Sequence, residues 1–183
     1  MNVFGCVLVT QAFLGLLRSN PVVDRSKRIV FISSGVGKIT MPNIVPYCAT
    51  KHALESIGDG FRLELAPWNM DVVIIEPGAI TSGFRGTVSS LMAANLDQAK
   101  QAGGGEFQVG ADVLATYVRS IERSLQHRSK QSSSDVVVED VLRGLLEKKP
   151  LTRYLSGNDS RFGLPMLLAI PDRVRDLFVT RVG

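Results

Sequence analysis

Three side chains in the first third of the sequence could together carry out acid–base chemistry: Ser34, Tyr47 and Lys51. Tyr47 and Lys51 are four residues apart, so on a helix their side chains lie on the same face. A positive charge beside a phenol favours the phenolate, and we therefore expect Lys51 to lower the pKa of Tyr47 from its usual value of about 10. Such a tyrosine could give a proton to a carbonyl oxygen or take one from an alcohol.

A Tyr-x3-Lys pair alone is a weak motif, and the surrounding sequence is what strengthens it. Residues 28–34 contain four consecutive apolar residues and predict a strand that is buried on both faces. Ser34 ends this strand, and ligands of open α/β sheets bind at the carboxyl ends of the strands. A second apolar strand is predicted at residues 72–76. Because a helix lies between the two strands, the sequence predicts an α/β fold with a parallel sheet.

Five segments, in the same order, resemble the short-chain dehydrogenase/reductase family, in particular its members that act on retinols and steroids. They are similar to the helix that opens with the active-site asparagine, the serine strand, the catalytic helix, the nicotinamide-contacting turn and the last strand. In this sequence they are residues 1–5, 32–35, 47–51, 76–82 and 153–159. The resemblance implies the C-terminal part of a Rossmann-like, doubly wound parallel sheet with flanking helices.

The resemblance also implies a role for each candidate residue. Tyr47 would exchange a proton with the substrate oxygen, Ser34 would hold that oxygen, and Lys51 would bind the nicotinamide ribose. Asn2 would organise a water that connects Lys51 to solvent. The cofactor, NAD or NADP, would be bound by Tyr47, Lys51, Pro77, Gly78, Ile80, Thr81 and Ser82. The cofactor itself would supply or accept the hydride.

The glycine-rich turn with which this family holds the cofactor pyrophosphate has no counterpart in the sequence. The run of glycines at residues 103–105 follows no predicted strand and does not match it. We expect residues 1–183 to form one partial domain of the family that lacks the N-terminal βαβ units. Such a chain would expose the strand at residues 29–34 as an apolar edge, so we expect self-association and weak binding of NAD or NADP.

The composition argues against several other kinds of site. Cys6 and Cys48 are the two cysteines; they provide no disulfide framework and indicate a reducing compartment. With two histidines and no paired cysteines, no metal site is predicted. The net charge of +4 is scattered along the chain, so nucleic-acid binding is not predicted. We expect a cytoplasmic protein, or one associated with the cytosolic side of a membrane.

Four further segments have predicted roles outside the sheet. Residues 1–17 are apolar almost all round and lack the flanks of a signal peptide, which favours burial in a core or an interface. The resemblance implies a homo-oligomer formed through helices at residues 1–18 and 46–66. Residues 83–110 are either a lid in which Met92 touches the substrate or a surface insertion. Residues 164–182 either close the substrate pocket or lie on a membrane surface.

The sequence also predicts two helices before that C-terminal segment. Apolar residues recur at helical spacing over residues 113–125 and predict a core helix. Residues 132–135 offer capping side chains for a helix that extends to Leu146.

The sequence therefore predicts an NAD(P)-dependent oxidoreductase that interconverts a lipophilic alcohol and its ketone or aldehyde. One alternative is a truncated, catalytically silent paralogue that acts as a dimerisation partner. The missing pyrophosphate turn favours this alternative, whereas the presence of every downstream chemical residue opposes it. The other alternative is that the chain is part of a longer, complete enzyme.

Overall fold

The computed structural model describes residues 2–19, 27–42, 44–82, 119 and 132–182. Within them, three strands form a parallel sheet in the order β1, β2, β3. The strands are β1 (Lys27–Ile32), β2 (Met70–Pro77) and β3 (Arg153–Ser156). The helices are α1 (Phe4–Ser19), α2 (Val45–Leu65), α3 (Asp135–Leu146), α4 (Leu164–Leu168) and α5 (Asp172–Val182). The predicted α/β fold with a parallel sheet and flanking helices is confirmed.

The central strand, β2, is covered on both faces, which explains its continuous run of apolar residues. Val72 and Ile74 face one layer, where they pack with Phe31, Leu54, Leu65 and Met70 and with side chains of α1. Val73 and Ile75 face the other layer, where they pack with Tyr154 and with Val137 and Val141 of α3. Successive side chains of a strand point to opposite faces, so the two cores meet at β2.

Helix α2 extends along the sheet from its carboxyl edge toward its amino edge. Pro46 lies in its first turn, where a missing backbone N–H costs nothing. Its buried face includes Leu54 and Gly58, and Gly58 lies directly on the side chain of Ile74. The chain leaves the helix through a short 3₁₀ turn, Ala66–Trp68, and Asn69 in the left-handed conformation turns it into β2.

Helix α1 is buried on one face only within the described chain. Cys6, Leu14 and Leu17 pack against the core between the sheet and α2. Large apolar side chains on its outer side are exposed: Phe4, Leu8, Val9, Phe13 and Leu16. Burial of this segment on every face is therefore not seen, and an interface through it stays a prediction.

The prediction of a strand through residues 153–159 is wrong in its second half. Strand β3 ends at Ser156, Gly157 turns the chain with a φ of 99°, and residues 159–163 form a π-helical turn. The helix predicted after the serines is α3, and the Ser133 hydroxyl accepts a hydrogen bond from the Asp135 amide at its start.

The proposed lid at residues 83–110 lies outside the described residues, as does the helix at 113–125 apart from Arg119. In the part of the chain that is described, none of the helices is both long and apolar enough to cross a membrane.

Gly58→Ala should destabilise the chain, because a Cβ at this position would lie 2.6 Å from Cδ1 of the buried Ile74. We expect a loss of about 1–3 kcal/mol in the free energy of unfolding, measured by urea denaturation. Gly60→Ala in the same helix is the matched control, since its Cβ would meet nothing within 4 Å. The control should be neutral or up to about 1 kcal/mol more stable. Equal effects of the two substitutions would contradict the packing described for α2.

Candidate active site

Ser34 lies just beyond the carboxyl end of β1, where the chain turns toward α2. Its hydroxyl donates to the carbonyl oxygen of Pro77 at 3.3 Å and accepts the amide of Val36 at 3.4 Å. Pro77 is the last residue of the neighbouring strand, so Ser34 joins the ends of β1 and β2. A 3₁₀ turn, Gly35–Gly37, begins at this serine and leads away from the sheet.

Tyr47 and Lys51 lie in the first turns of α2 and face the same sheet edge. The Lys51 Nζ lies 5.7 Å from the centre of the Tyr47 ring and donates to the carbonyl oxygen of Ile32 at 2.9 Å. A hydrogen bond joins the side chains of Tyr47 and Ser34. The three residues whose types and spacing suggested acid–base chemistry thus lie together at the carboxyl edge of the sheet.

Burial controls the ionisation of both α2 side chains. It raises the pKa of Tyr47 above its ordinary value, because the phenolate loses solvation, while the hydrogen bond with Ser34 opposes the rise and Cys48 adds to it. Burial also lowers the pKa of Lys51, against the charges of Cys6 and Glu55. The expectation that Lys51 lowers the pKa of Tyr47 is therefore wrong for the described chain. Desolvation outweighs attraction to an ammonium that is bonded to a backbone carbonyl.

Asn2 lies where the start of α1 approaches α2. Its side-chain amide donates to the Thr50 hydroxyl at 3.5 Å, and that hydroxyl donates to the carbonyl oxygen of Tyr47 at 2.8 Å. The structure therefore places Asn2 beside the helix turn that carries Tyr47 and Lys51. Its role in organising a water stays a prediction.

The turn after β2 carries the remaining predicted residues, Pro77, Gly78, Ile80, Thr81 and Ser82. The Gly78 amide donates to the carbonyl oxygen of Ser156 at 2.9 Å, which extends the pairing of β2 with β3. A bridge to Ser132 uses the carbonyl of Ala79 and the amide of Thr81. Ile80 lies between these two bonded residues. In a parallel bridge, the N–H and C=O of such a residue point away from the partner strand, so those of Ile80 point away from Ser132. Thr81 and Ser82 are exposed.

Two residues that the sequence did not assign to the site hold this turn in place. The Asp159 carboxylate accepts the Ala79 amide at 2.6 Å. It also fills the space beside Gly78, where a Cβ would lie 2.1 Å from Asp159 Oδ1. Ser132 forms the backbone bridge to Ala79 and Thr81, and its hydroxyl accepts a hydrogen bond from the Asn158 amide at 3.1 Å. Serine and aspartate are common acceptors of backbone amides in turns, but the sequence does not specify which amides they bind.

A cavity of about 330 Å³ lies at the opposite edge of the sheet. It is lined by the end of α2 and by the first residues of β2 and the segment before β3, including Arg62, Met70 and Leu151. Because Ser34, Tyr47 and Lys51 lie at the carboxyl edge, this cavity does not belong to the candidate site.

The fold and the site together define an α/β protein with a Ser-Tyr-Lys cluster at the carboxyl edge of a parallel sheet. The family model for short chain dehydrogenase matches residues 1–92, half of the chain. The chain belongs to the short-chain dehydrogenase family, as the sequence resemblance predicted.

Curated relatives align with almost the whole chain. Retinol dehydrogenase 5 of Mus musculus is 31% identical over 98% of this chain and 54% of its own length. The NADPH-dependent 3-dehydrocapnine reductase of Ornithobacterium rhinotracheale is 29% identical over 96% of the chain and 58% of its own length. The 17-beta-hydroxysteroid dehydrogenase type 2 of Homo sapiens is 27% identical over 99% of the chain and 45% of its own length. The chain thus spans about half the length of the curated relatives that it matches.

Solved structures share the fold. A short chain dehydrogenase from Burkholderia cenocepacia, in complex with NADP, superposes with a TM-score of 0.62 at 17% identity. The match covers 97% of this chain and 55% of that one. A short-chain dehydrogenase from Streptomyces avermitilis superposes equally well, with a TM-score of 0.62 at 22% identity over 98% of this chain and 57% of that one.

The ionisation of Tyr47 can be tested by following phenolate absorbance during an alkaline titration. The difference between the chain and its Tyr47→Phe variant isolates this residue, and we expect its pKa above the ordinary 10.0. Ser34→Ala should raise the pKa of Tyr47 further, because it removes the hydrogen bond that lowers it. A Tyr47 pKa below the ordinary value would contradict this result and would indicate that the charge of Lys51 outweighs burial.

Proposed function

We propose that this protein is an NAD(P)-dependent oxidoreductase that interconverts a lipophilic alcohol and its ketone or aldehyde. The observation that carries the proposal is the convergence of Ser34, Tyr47 and Lys51 at the carboxyl edge of the sheet. The relatives support it, since their names describe an NADPH-dependent reductase, a hydroxysteroid dehydrogenase and a retinol dehydrogenase.

The donors at the site fit the nicotinamide end of NAD or NADP. The Ile80 peptide groups point away from the Ser132 bridge, and the exposed hydroxyls of Thr81 and Ser82 lie at the same turn. Pro77 and Gly78 hold this turn against β3, and Lys51 would bind the ribose together with Tyr47. When bound, the cofactor would supply or accept the hydride.

Within this site, Tyr47 would act as the proton donor to a carbonyl oxygen and as the acceptor in the reverse direction. Its raised pKa keeps the hydroxyl protonated at neutral pH, which suits the reduction of a carbonyl. Ser34 already bonds to Tyr47 and would hold the same substrate oxygen. Asn2, beside Thr50, would hold a water that connects Lys51 to solvent.

The assembly and location of the protein form part of the same proposal. We place residues 1–183 in one partial domain, which forms a homo-oligomer through α1 and α2. The C-terminal segment would close a lipophilic pocket or contact the cytosolic surface of a membrane. Exposed apolar side chains of this segment support either contact: Met166, Leu168, Leu177 and Phe178.

A second function, that of a catalytically silent dimerisation partner, is favoured by one observation. The outer face of α1 exposes Phe4, Leu8 and Phe13 to solvent in the described chain. A purified chain that dimerises and lacks turnover with all alcohols and ketones would support this alternative.

Tyr47→Phe should remove turnover from the complete enzyme with little loss of stability, because it deletes one hydroxyl and keeps the ring. We expect kcat to fall by about 100- to 10,000-fold, the usual contribution of a positioned acid or base. Tyr154→Phe is the matched control: it also deletes a hydroxyl, which donates to Glu147 on the other face of the sheet. The control should keep turnover. Full activity of the Tyr47 variant would exclude the proposed role.

The proposed substrate class can be tested with a panel of alcohols and ketones. Retinoids and steroids should exceed polyols by at least about tenfold in kcat/KM, because apolar burial supplies the binding energy of such a pocket. A panel in which sugars or short polar acids react best would overturn the lipophilic assignment and leave the oxidoreductase assignment intact.

A further inference from the structure

Beneath the candidate site lies a cluster of charged side chains that the proposed reaction does not use. Glu55 in α2 and Glu76 in β2 are both buried, with 4% and 1% of their surface exposed. Arg153, the first residue of β3, lies between them: its Nε is 3.1 Å from Glu55 Oε2 and 3.0 Å from Glu76 Oε1. One guanidinium nitrogen thus joins carboxylates from two elements.

The cluster extends to the turn that begins at Ser34. The Lys38 Nζ lies 3.0 Å from Glu55 Oε2, and the Lys38 amide closes the 3₁₀ turn on the carbonyl of Gly35 at 3.2 Å. Gly37 of this turn rests on α2, because a Cβ there would lie 3.0 Å from Glu55 Cγ and 3.2 Å from the Lys51 carbonyl. The serine turn is therefore held on α2 one helical turn beyond Lys51.

The same cluster adjoins the other two parts of the site. Glu76 immediately precedes Pro77, whose carbonyl binds Ser34 and whose successors form the predicted nicotinamide turn. Arg153 is also bonded to Asp59 at 2.7 Å, one turn further along α2. The serine turn, α2, β2 and β3 therefore meet at these side chains.

We propose that Lys38, Glu55, Glu76 and Arg153 are positioning residues, which set the distance between Ser34 and Tyr47 and align both with the turn after β2. This inference rests on the proposed function for its catalytic consequence. None of the four contacts the atoms that would react. They act through the backbone segments that carry Ser34, Tyr47 and Lys51.

The burial of two carboxyls, Glu55 and Glu76, beside each other favours a proton on one of them. The charged groups around Glu76 are Glu55 from α2, Lys38 from the serine turn and Arg153 from β3. Asp59 binds Arg153 from the next turn of α2 and is itself paired with Arg62 at 3.2 Å. Oε1 of Glu55 and Oε1 of Glu76 are buried without a hydrogen-bond partner among the described residues, so a proton on one of the two carboxyls removes a costly buried charge. Burial, followed by the charge of Glu55, raises the pKa of Glu76 to about 7.

The proton makes the stability of the folded chain depend on pH near neutrality. A carboxyl whose pKa is raised by folding stabilises the folded chain fully below its unfolded value of 4.5. That stabilisation is lost as the pH rises through about 7. Glu76→Gln mimics the protonated carboxyl, so this part of the pH dependence should disappear from urea denaturation curves. Glu64→Gln, at an exposed position of α2, should leave this pH dependence unchanged.

The positioning role is tested by Lys38→Met, which releases the serine turn from Glu55 and leaves the half-buried Arg153 in place. We expect the alkaline titration of Tyr47 to shift upward, because the hydrogen bond with Ser34 weakens. In the complete enzyme we expect kcat to fall about 10- to 100-fold with little change in KM, as misplacement of reacting groups does. Lys148→Met, at an exposed lysine, should change neither quantity.

The outcomes separate the positioning role from the proposed reaction. An unchanged Tyr47 titration in folded Lys38→Met, or an unchanged pH dependence in Glu76→Gln, would overturn the inference even if the enzyme turns over. Shifts in both, in a protein that shows no turnover with any alcohol or ketone, would support the cluster and refute the proposed function. Because Glu76→Gln keeps the shape and the hydrogen-bonding capacity of the side chain, it remains informative if Lys38→Met does not fold.

Discussion

The structure depends on the burial of β2 on both faces. Its four central apolar side chains, residues 72–75, are almost fully inaccessible, and each such side chain contributes about 1.5–3 kcal/mol when removed from water. This burial holds α1 and α2 on one face and α3 on the other. The position of α2 then brings Tyr47 and Lys51 to the strand end at which Ser34 lies. The candidate site is thus a consequence of the core.

The same loss of water sets the ionisation of the site. Burial raises the pKa of Tyr47, lowers the pKa of Lys51 and raises the pKa of Glu76 to about 7. In each case the neutral form gains, because a partly dehydrated charge is costly unless it is well paired. A site of this kind retains protons on its acids, as the proposed role of Tyr47 as a proton donor requires.

A buried carboxylate on the far side of the sheet supports the turn after β2. Asp140 of α3 accepts the Ser156 hydroxyl at 2.8 Å and the Arg161 guanidinium at 3.1 Å. Arg161 in turn donates to the carbonyl of Leu155 at 2.9 Å. These bonds hold the end of β3 against the π-helical turn, from which Asp159 reaches the Ala79 amide. The predicted nicotinamide turn is therefore held by residues that follow it by more than fifty positions.

The sequence by itself determined the elements of this protein and the order in which they occur. Apolar runs predicted β1 and β2, the four-residue spacing placed Tyr47 and Lys51 on one face of α2, and Ser34 fell at a strand exit. The order of these motifs also identified the family. Such features are local, because the periods of a helix and a strand are properties of neighbouring residues.

The tertiary structure decided what depends on contacts between distant residues and on the exclusion of water. It reversed the expected pKa shift of Tyr47, because desolvation follows from packing and not from the charge of a neighbour in sequence. It ended β3 at Ser156, where the chain turns so that the Asp159 carboxylate can accept the Ala79 amide. It also brought Glu55, Glu76 and Arg153 together from three elements. Their spacing in the sequence carries no signal of that meeting, because only the folded sheet makes them neighbours.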